Sequence, residues 1–304
     1  MRCYRYKPSK SKAVGNMKRW FLYILYICAA VVFFLYYLFP SDAARDFISS
    51  YMKKSHPDYR VDVSDIKPVF PPGIELRTVG ISYKNDLWGE LDQFIVTPGY
   101  FSLFSEQKTF NFRGTAYEGE ISGTVDLVRD GNPPGFKVNA DLRHVQLEGI
   151  DRLQTIFGRK VFGKLDGVVS YQGSKGADEK TDIRLNLSDV AAEIVNPLIN
   201  VDIDQITFKS IDAVIAIDKQ TLELKQCKAL GTQADGDLTG TIRFRRPFEK
   251  SLLDFRGTLK LHHTLLAKIN DIVPGGLFQQ RKNENGDLPV KVYGTIETPK
   301  FSFR

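Results

Sequence analysis

Four histidines, three cysteines and 36 acidic side chains are the groups of this 304-residue chain with the widest chemical reach. His56, His144, His262 and His263 do not stand at metal-ligand spacing with Cys, Asp or Glu. Adjacent His262 and His263 would point to opposite faces of a strand. Asp202 and Asp204 share a strand face and could bind a cation, but a solvated sheet face is the favoured reading. Arg243, Arg245 and Arg246 would suit anionic headgroups or a partner, or a charged edge that discourages strand addition. No nucleophile elbow, phosphate loop or dinucleotide fingerprint is present. The expectation is a protein that is not an enzyme, with no cofactor and no metal.

The elements that position these groups begin with an apolar run. Trp20 to Phe39 reads WFLYILYICAAVVFFLYYLF, without a charge, and as a helix it would cover roughly 30 Å, the hydrocarbon thickness of a bilayer. Trp20, Tyr23, Tyr36 and Tyr37 lie toward its ends, where amphipathic rings favour the headgroup level, and mark a membrane anchor. The tail before it carries Arg2, Arg5, Lys7, Lys10, Lys12, Lys18 and Arg19 and no acid. Positive charge stays cytoplasmic, so residues 1–19 form a basic cytoplasmic tail, 20–39 a single transmembrane helix, and the remainder lies across the membrane. The run exceeds the roughly 7–15 residues of a signal peptide, which favours an uncleaved anchor although Ser41-Asp42-Ala43 loosely resembles a cleavage site.

The charge balance follows the same division. The net charge of +6 comes from 42 basic and 36 acidic residues, and seven of the basic ones precede the span. Residues 40–304 thus hold 35 basic against 36 acidic groups, so no nucleic-acid partner is expected. Cys3, Cys28 and Cys227 fall in three different compartments, which excludes a disulfide within the outer domain.

Beyond the span, Ser41 and Asp42 open a juxtamembrane amphipathic helix within residues 40–57. Phe47, Ile48, Tyr51 and Met52 lie at helical spacing, and Lys53 and Lys54 sit near its end. It could lie on the membrane surface or cap the first strand. From Tyr59 the apolar period becomes two, and residues 58–304 read as one β-rich domain. Short strands are predicted around Val61, Ile74, Ile81 (with Gly80 as a bulge), Leu91, Phe110, Ile183, Ile199, Ile206, Ile211 and Leu253, and one or two more over Val290 to Phe303. The strand through Ile215, with Val214 and Ala216 on its other face, reads as covered on both sides. Short helices are predicted over 150–157 and 265–273, and a helical turn near Tyr100.

Three segments share a pattern of glycines and aliphatics. Gly119, Ile121, Gly123 and Val125 recur as Gly163, Leu165, Gly167 and Val169, and again as Gly236, Leu238, Gly240 and Ile242. Strand side chains alternate, so each set lies on one face. Glycine inside a strand marks a sharp bend or a close approach to the backbone. These twelve are the candidate inner-face positions, facing lipid or a core. The predicted fold is mainly β: a single N-terminal transmembrane helix, then a long, strongly curved antiparallel sheet, groove or β-sandwich-like, with a few short helices. About a dozen strands are too many for a flat open sheet.

The chain resembles the type II secretion system protein N family in its short bacterial form. The residues that carry the resemblance are the anchor with Leu38-Phe39-Pro40-Ser41-Asp42, the run Pro71 to Leu76, the run Pro98 to Val125, and Gly236 to Pro247 with the strand Leu252 to Leu261. More distantly, the glycine strands look like AsmA-type proteins, whose β-grooves are associated with lipid movement between bacterial membranes. The resemblance implies a single-pass protein of the bacterial inner membrane, N-terminus cytoplasmic and β domain periplasmic. It would be an accessory subunit of type II protein secretion, partnered by the bilayer and other inner-membrane secretion components. The alternative is an AsmA-like carrier with a lipid ligand shielded in the groove.

Overall fold

The structure, a computed structural model, describes residues 11–55, 57–84, 86–102, 105–128, 135–174, 179–193, 205–263, 265 and 286–302. Two helices open the chain, α1 (Ser11–Tyr37) and α2 (Ser41–Ser55). Pro40 disfavours helical backbone at Phe39 and separates them. Six strands follow: β1 (Tyr59–Val69), β2 (Gly73–Tyr83), β3 (Asp86–Pro98), β4 (Lys108–Ala116), β5 (Gly119–Val128) and β6 (Gly135–Gln146). A 3-10 turn (Leu147–Gly149) and α3 (Asp151–Phe157) intervene. The second run is β7 (Val161–Ser174), β8 (Lys180–Glu193), β9 (Gln205–Asp218), β10 (Thr221–Gly231), β11 (Ala234–Arg243), β12 (Leu252–Leu261), β13 (Leu288–Thr295) and β14 (Pro299–Ser302).

The fourteen strands of the described residues form one sheet in chain order, each antiparallel to the next. This is the simplest arrangement for consecutive hairpins, because sequential strands pair without crossing connections. The turns are correspondingly tight. Tyr117 and Glu118 both take positive φ, 50° and 59°, between β4 and β5, the backbone twist that two-residue hairpins need. Gly158 at φ 65° ends α3 in the left-handed conformation.

The core is small and local. Ile66 (0% exposed), Val63 and Val79 are packed by Phe39, Ala44 and Ile48 from the helical side, so α2 lies on β1. Arg45 Nη2 ties the two elements by donating to the Ser64 carbonyl at 2.7 Å. Burial of a side chain such as Ile66 contributes about 1.5–3 kcal/mol. Of the two placements expected for α2, packing on the first strand is the one observed. The same helix leaves Phe47 and Tyr51 69% and 60% exposed.

Several expectations change. By length and hydropathy, no helix among the described residues is long and apolar enough to cross a membrane, so the predicted span over 20–39 is not shown. The apolar run instead forms the later part of α1, which begins at Ser11 within the basic tail and stops at Tyr37. The domain is a single sheet; no second, sandwiching sheet is formed among the described residues. Gly80 is in regular register with Asp62 and Glu90, and the irregularity falls instead between Ile81 and Ser82. Ile206 and Ile211 belong to one strand, β9. His262 and His263 lie beyond the end of β12 and not on a strand. The strand near Ile199, the pair Asp202 and Asp204, His56 and all but the first residue of the helix over 265–273 lie outside the described residues.

Candidate functional site

Residues opposite one another in an antiparallel pair carry their side chains on the same face. Followed from strand to strand, the register draws one row across the whole sheet. It runs Pro68, Ile74, Val96, Phe112, Gly123, Ala140, Val169, Ile183, Ile215, Leu224, Gly240, Phe255, Val292, Phe301. Fourteen strands contribute fourteen positions, and none is polar. None of them is buried either. A parallel row holds Ile66, Leu76, Phe94, Gly114, Ile121, Leu142, Gly167, Leu185, Ala213, Cys227, Leu238, Gly257 and Val290.

The predicted inner-face positions other than Gly163 fall on this face by register. Gly123, Val169 and Gly240 are in the first row, and Ile121, Gly167 and Leu238 in the second. Val125 pairs with Val138, and Ile242 with Leu222 and Leu253. Leu165 pairs with Leu187 and Val145, and Gly236 with Ala229 and Leu259. Gly119 is buried against Val145. Gly163 departs from the alternation: it sits in a register slip between β7 and β8 with φ 135°.

The glycines bring neighbouring backbones together on this face. A methyl group on Gly119 would meet Val145 Cα at 2.6 Å, and one on Gly123 would strike the Asn139 carbonyl and the Phe112 ring. Phe255 covers Gly240 in the same way, with Cδ1 2.7 Å from where a Cβ would stand. Such approaches leave no room for a side chain at these positions. Gly236 differs, because a Cβ there would meet nothing closer than 4.0 Å.

At one end the face deepens into a cavity of about 650 Å³. Its floor is Leu165, Leu185, Leu187 and Ile211, continuous with the rows above, and Val161, Val190, Ala192, Ile206 and Phe208 form its wall. Leu147, Ile150 and Leu153 roof it from the 3-10 turn and α3. Arg159 and Glu193 are the charged members of its lining, and Arg159 Nη1 donates to the Glu193 carbonyl at 3.0 Å.

The opposite face is polar. A depression of about 520 Å³ there is lined by Asp141, Arg143, His144, Asp166, Arg184, Asn186 and Asp212 among others. The His144 backbone N–H donates to Asp166 Oδ1 at 2.9 Å, and Asn186 Nδ2 to Asp212 Oδ1 at 2.6 Å. Val214 and Ala216 are half-buried and Val168 is 48% exposed, so this face is not covered as the apolar residues of β9 suggested.

Of the histidines, His262 has the defined environment. Its Nδ1 is 3.0 Å from the Thr232 carbonyl, which can only accept, and its Nε2 is 2.9 Å from Asp235 Oδ2. Protonation of both nitrogens satisfies both partners, and the Asp235 carboxylate accordingly raises the His262 pKa while His262 lowers that of Asp235. Burial on the apolar face, then Asp237 and Asp212, push the Cys227 thiol up, which disfavours its thiolate. Arg243, Arg245 and Arg246 are exposed. Among the described residues no group of three His, Cys, Asp or Glu is placed to hold a metal.

Sequence reading missed β10 and most of the cavity wall. Leu222, Leu224, Cys227 and Ala229 share the apolar face, but a register shift between Leu224 and Cys227 breaks their period of two. Val190 is likewise hidden, because it stands three residues from Leu187 across the β7–β8 register slip beside Asp189 (φ 52°), and its partner Phe208 stands three from Ile211. No protein family, no curated protein and no solved structure matches the chain.

Proposed function

We propose that the chain is a membrane-anchored carrier whose curved apolar face shields lipid acyl chains in the bacterial periplasm. The row from Pro68 to Phe301 carries this reading: fourteen apolar positions side by side, none of them buried. Apolar surface left in water costs about 25 cal/mol per Å². Contiguous patches beyond a few hundred Å² mark a partner. An acyl chain suits the row because it brings no hydrogen-bonding group and meets none.

The helix α1 supplies the anchor. Its run from Trp20 to Tyr37 has no charge, and from Trp20 to Ile27 every side chain is at least 56% exposed. Apolar and aromatic side chains left on the outside of a helix are favoured against lipid, which supports an anchoring role for this run. The basic residues before it support a cytoplasmic N-terminus, a periplasmic sheet and one crossing of the inner membrane.

A photo-crosslinking residue at Ile121, and separately at Leu165, in the full-length protein in its native membrane tests the carrier. Phospholipid or lipopolysaccharide adducts at both positions are expected. Adducts confined to the chain itself would mean a closed core and end this reading.

A second, compatible reading is an accessory subunit of type II secretion that docks on other inner-membrane components. The sequence resemblance supports it, and so does the polar depression around Asp141, Arg184 and Asp212, whose mixed charges suit a protein surface. A crosslinker at Asn186 should then give adducts of one defined protein mass; recovery of none would remove this reading.

A further inference from the structure

The cavity roofed by the 3-10 turn and α3 differs from the open face it continues. We propose that it is a seat for the terminal part of one acyl chain, with the polar headgroup of the lipid toward Arg159. This rests on the carrier reading above and adds a fixed binding position to it.

Three observations converge. First, the volume of about 650 Å³ lies within the range of roughly 300–1,000 Å³ that ligand sites occupy, and twelve of the fourteen lining residues are apolar. A buried water needs about 2–4 polar partners, which the floor and roof do not offer, so the occupant is apolar. Second, the wall depends on a backbone departure on β8. Positive φ at Asp189 shifts the alternation there by one residue, so that Val190 and Ala192 join Leu185 and Leu187, on the side where Val161, four residues before Leu165, already stands. Positive φ at a non-glycine such as Asp189 is uncommon and persists only where its surroundings enforce it. Third, the roof is fastened to a distant strand. Arg152 of α3 stacks on Trp88 at 5.5 Å and lies 3.8 Å from Asp86, both on β3. A chain lying on the open face can slide, whereas one under this roof is held.

The headgroup end follows from where polar groups stand. Arg159 and Glu193 are the charged lining residues, and the guanidinium is oriented by its bond to the Glu193 carbonyl. A guanidinium has five N–H donors, suited to a phosphate or a carboxylate.

The test uses full-length protein in phospholipid nanodiscs and two probes, each with a diazirine at the chain terminus: a phosphatidylethanolamine and palmitate. Labelled residues are identified by peptide mass spectrometry. Labelling concentrated at Leu187 and Phe208 is expected, with loss of that labelling in Val190→Trp and retention at Ile121 and Leu238. Phe208→Ala, which enlarges the cavity, should increase labelling of Leu187 and guards against misfolding of the tryptophan variant. Labelling by phospholipid alone would assign the phosphate headgroup, and labelling by both probes a site for which a carboxylate suffices. Even labelling along the face, unchanged by either variant, would overturn the seat and leave the carrier standing. No labelling at any position would overturn both.

Discussion

The tip of the Phe112 ring occupies the space in which a Gly123 side chain would stand. Cζ lies 2.6 Å from that Cβ position, and the Asn139 carbonyl closes it from the next strand. The pair links packing to composition: the glycine lets a neighbour's ring and backbone close over it. Gly123→Ala should therefore destabilise the domain by about 1–3 kcal/mol, the usual cost of overpacking. Gly236→Ala meets no atom closer than 4.0 Å and should stay within about 0.5 kcal/mol of the parent. Urea unfolding of the two variants compares them directly. Equal effects would mean that the crowding at Gly123 is relieved at no cost.

Stability should depend on pH through Asp235 and His262. Folding raises the His262 pKa above its ordinary value near 6.5, so its contribution is complete below pH 6.5 and fades as pH rises through the folded value. Folding lowers the Asp235 pKa, so that contribution is present above its ordinary value and fades as pH falls through the folded one. Glu75 acts on the acid side too: Arg77 Nε at 2.6 Å, and then Gln93, hold its pKa below the ordinary value. The melting temperature of the parent should exceed that of His262→Ala at pH 5–6, and the gap should narrow toward pH 9. A constant gap would show that charge on His262 contributes nothing.

Much of the apolar face was legible because a period of two survives wherever strands pair regularly. Ile121, Leu165 and Leu238 were placed on it from alternation alone. Legibility failed where one backbone residue reverses the alternation. Thr78 (φ 46°) is such a residue: Leu76 and Val79, three apart, both pack against the core. Leu91 and Phe94 repeat this on β3. At these places the period resembles a helix, and only strand pairing restores its meaning. The cavity was illegible for a further reason. Leu147, Ile150 and Leu153 reach it from a turn and a short helix, and which sheet face they roof is fixed by the distant contact of Arg152 with Trp88.

The proposed anchor has a topological consequence. If the tail is in the cytoplasm, Cys3 should be labelled by a membrane-impermeant maleimide only after spheroplasts are lysed. A cysteine at Thr239, on the polar face of β11, should be labelled in intact spheroplasts. Alkaline carbonate should leave the full-length protein in the membrane pellet. Labelling of Cys3 in intact spheroplasts, or release by carbonate, would remove the anchor.

The two sides of α2 should separate fold from membrane contact. Ile48 packs against Val63, Ile66 and Val79, whereas Phe47, its neighbour in sequence, is 69% exposed and stacks on Tyr51 at 6.1 Å. Ile48→Ala removes buried methylenes and should cost about 2 kcal/mol, at the low end for such truncations because the site is only partly buried. Phe47→Ser should leave the unfolding midpoint unchanged, since no core contact is lost. Phe47 and Tyr51 follow α1 by one short connection and would meet the headgroup layer if α1 spans the bilayer, where aromatic rings are favoured. Removing them together should therefore expose α2 to proteolysis in the membrane-bound protein without lowering its stability to urea. A double variant that loses stability to urea would instead place these rings in the fold.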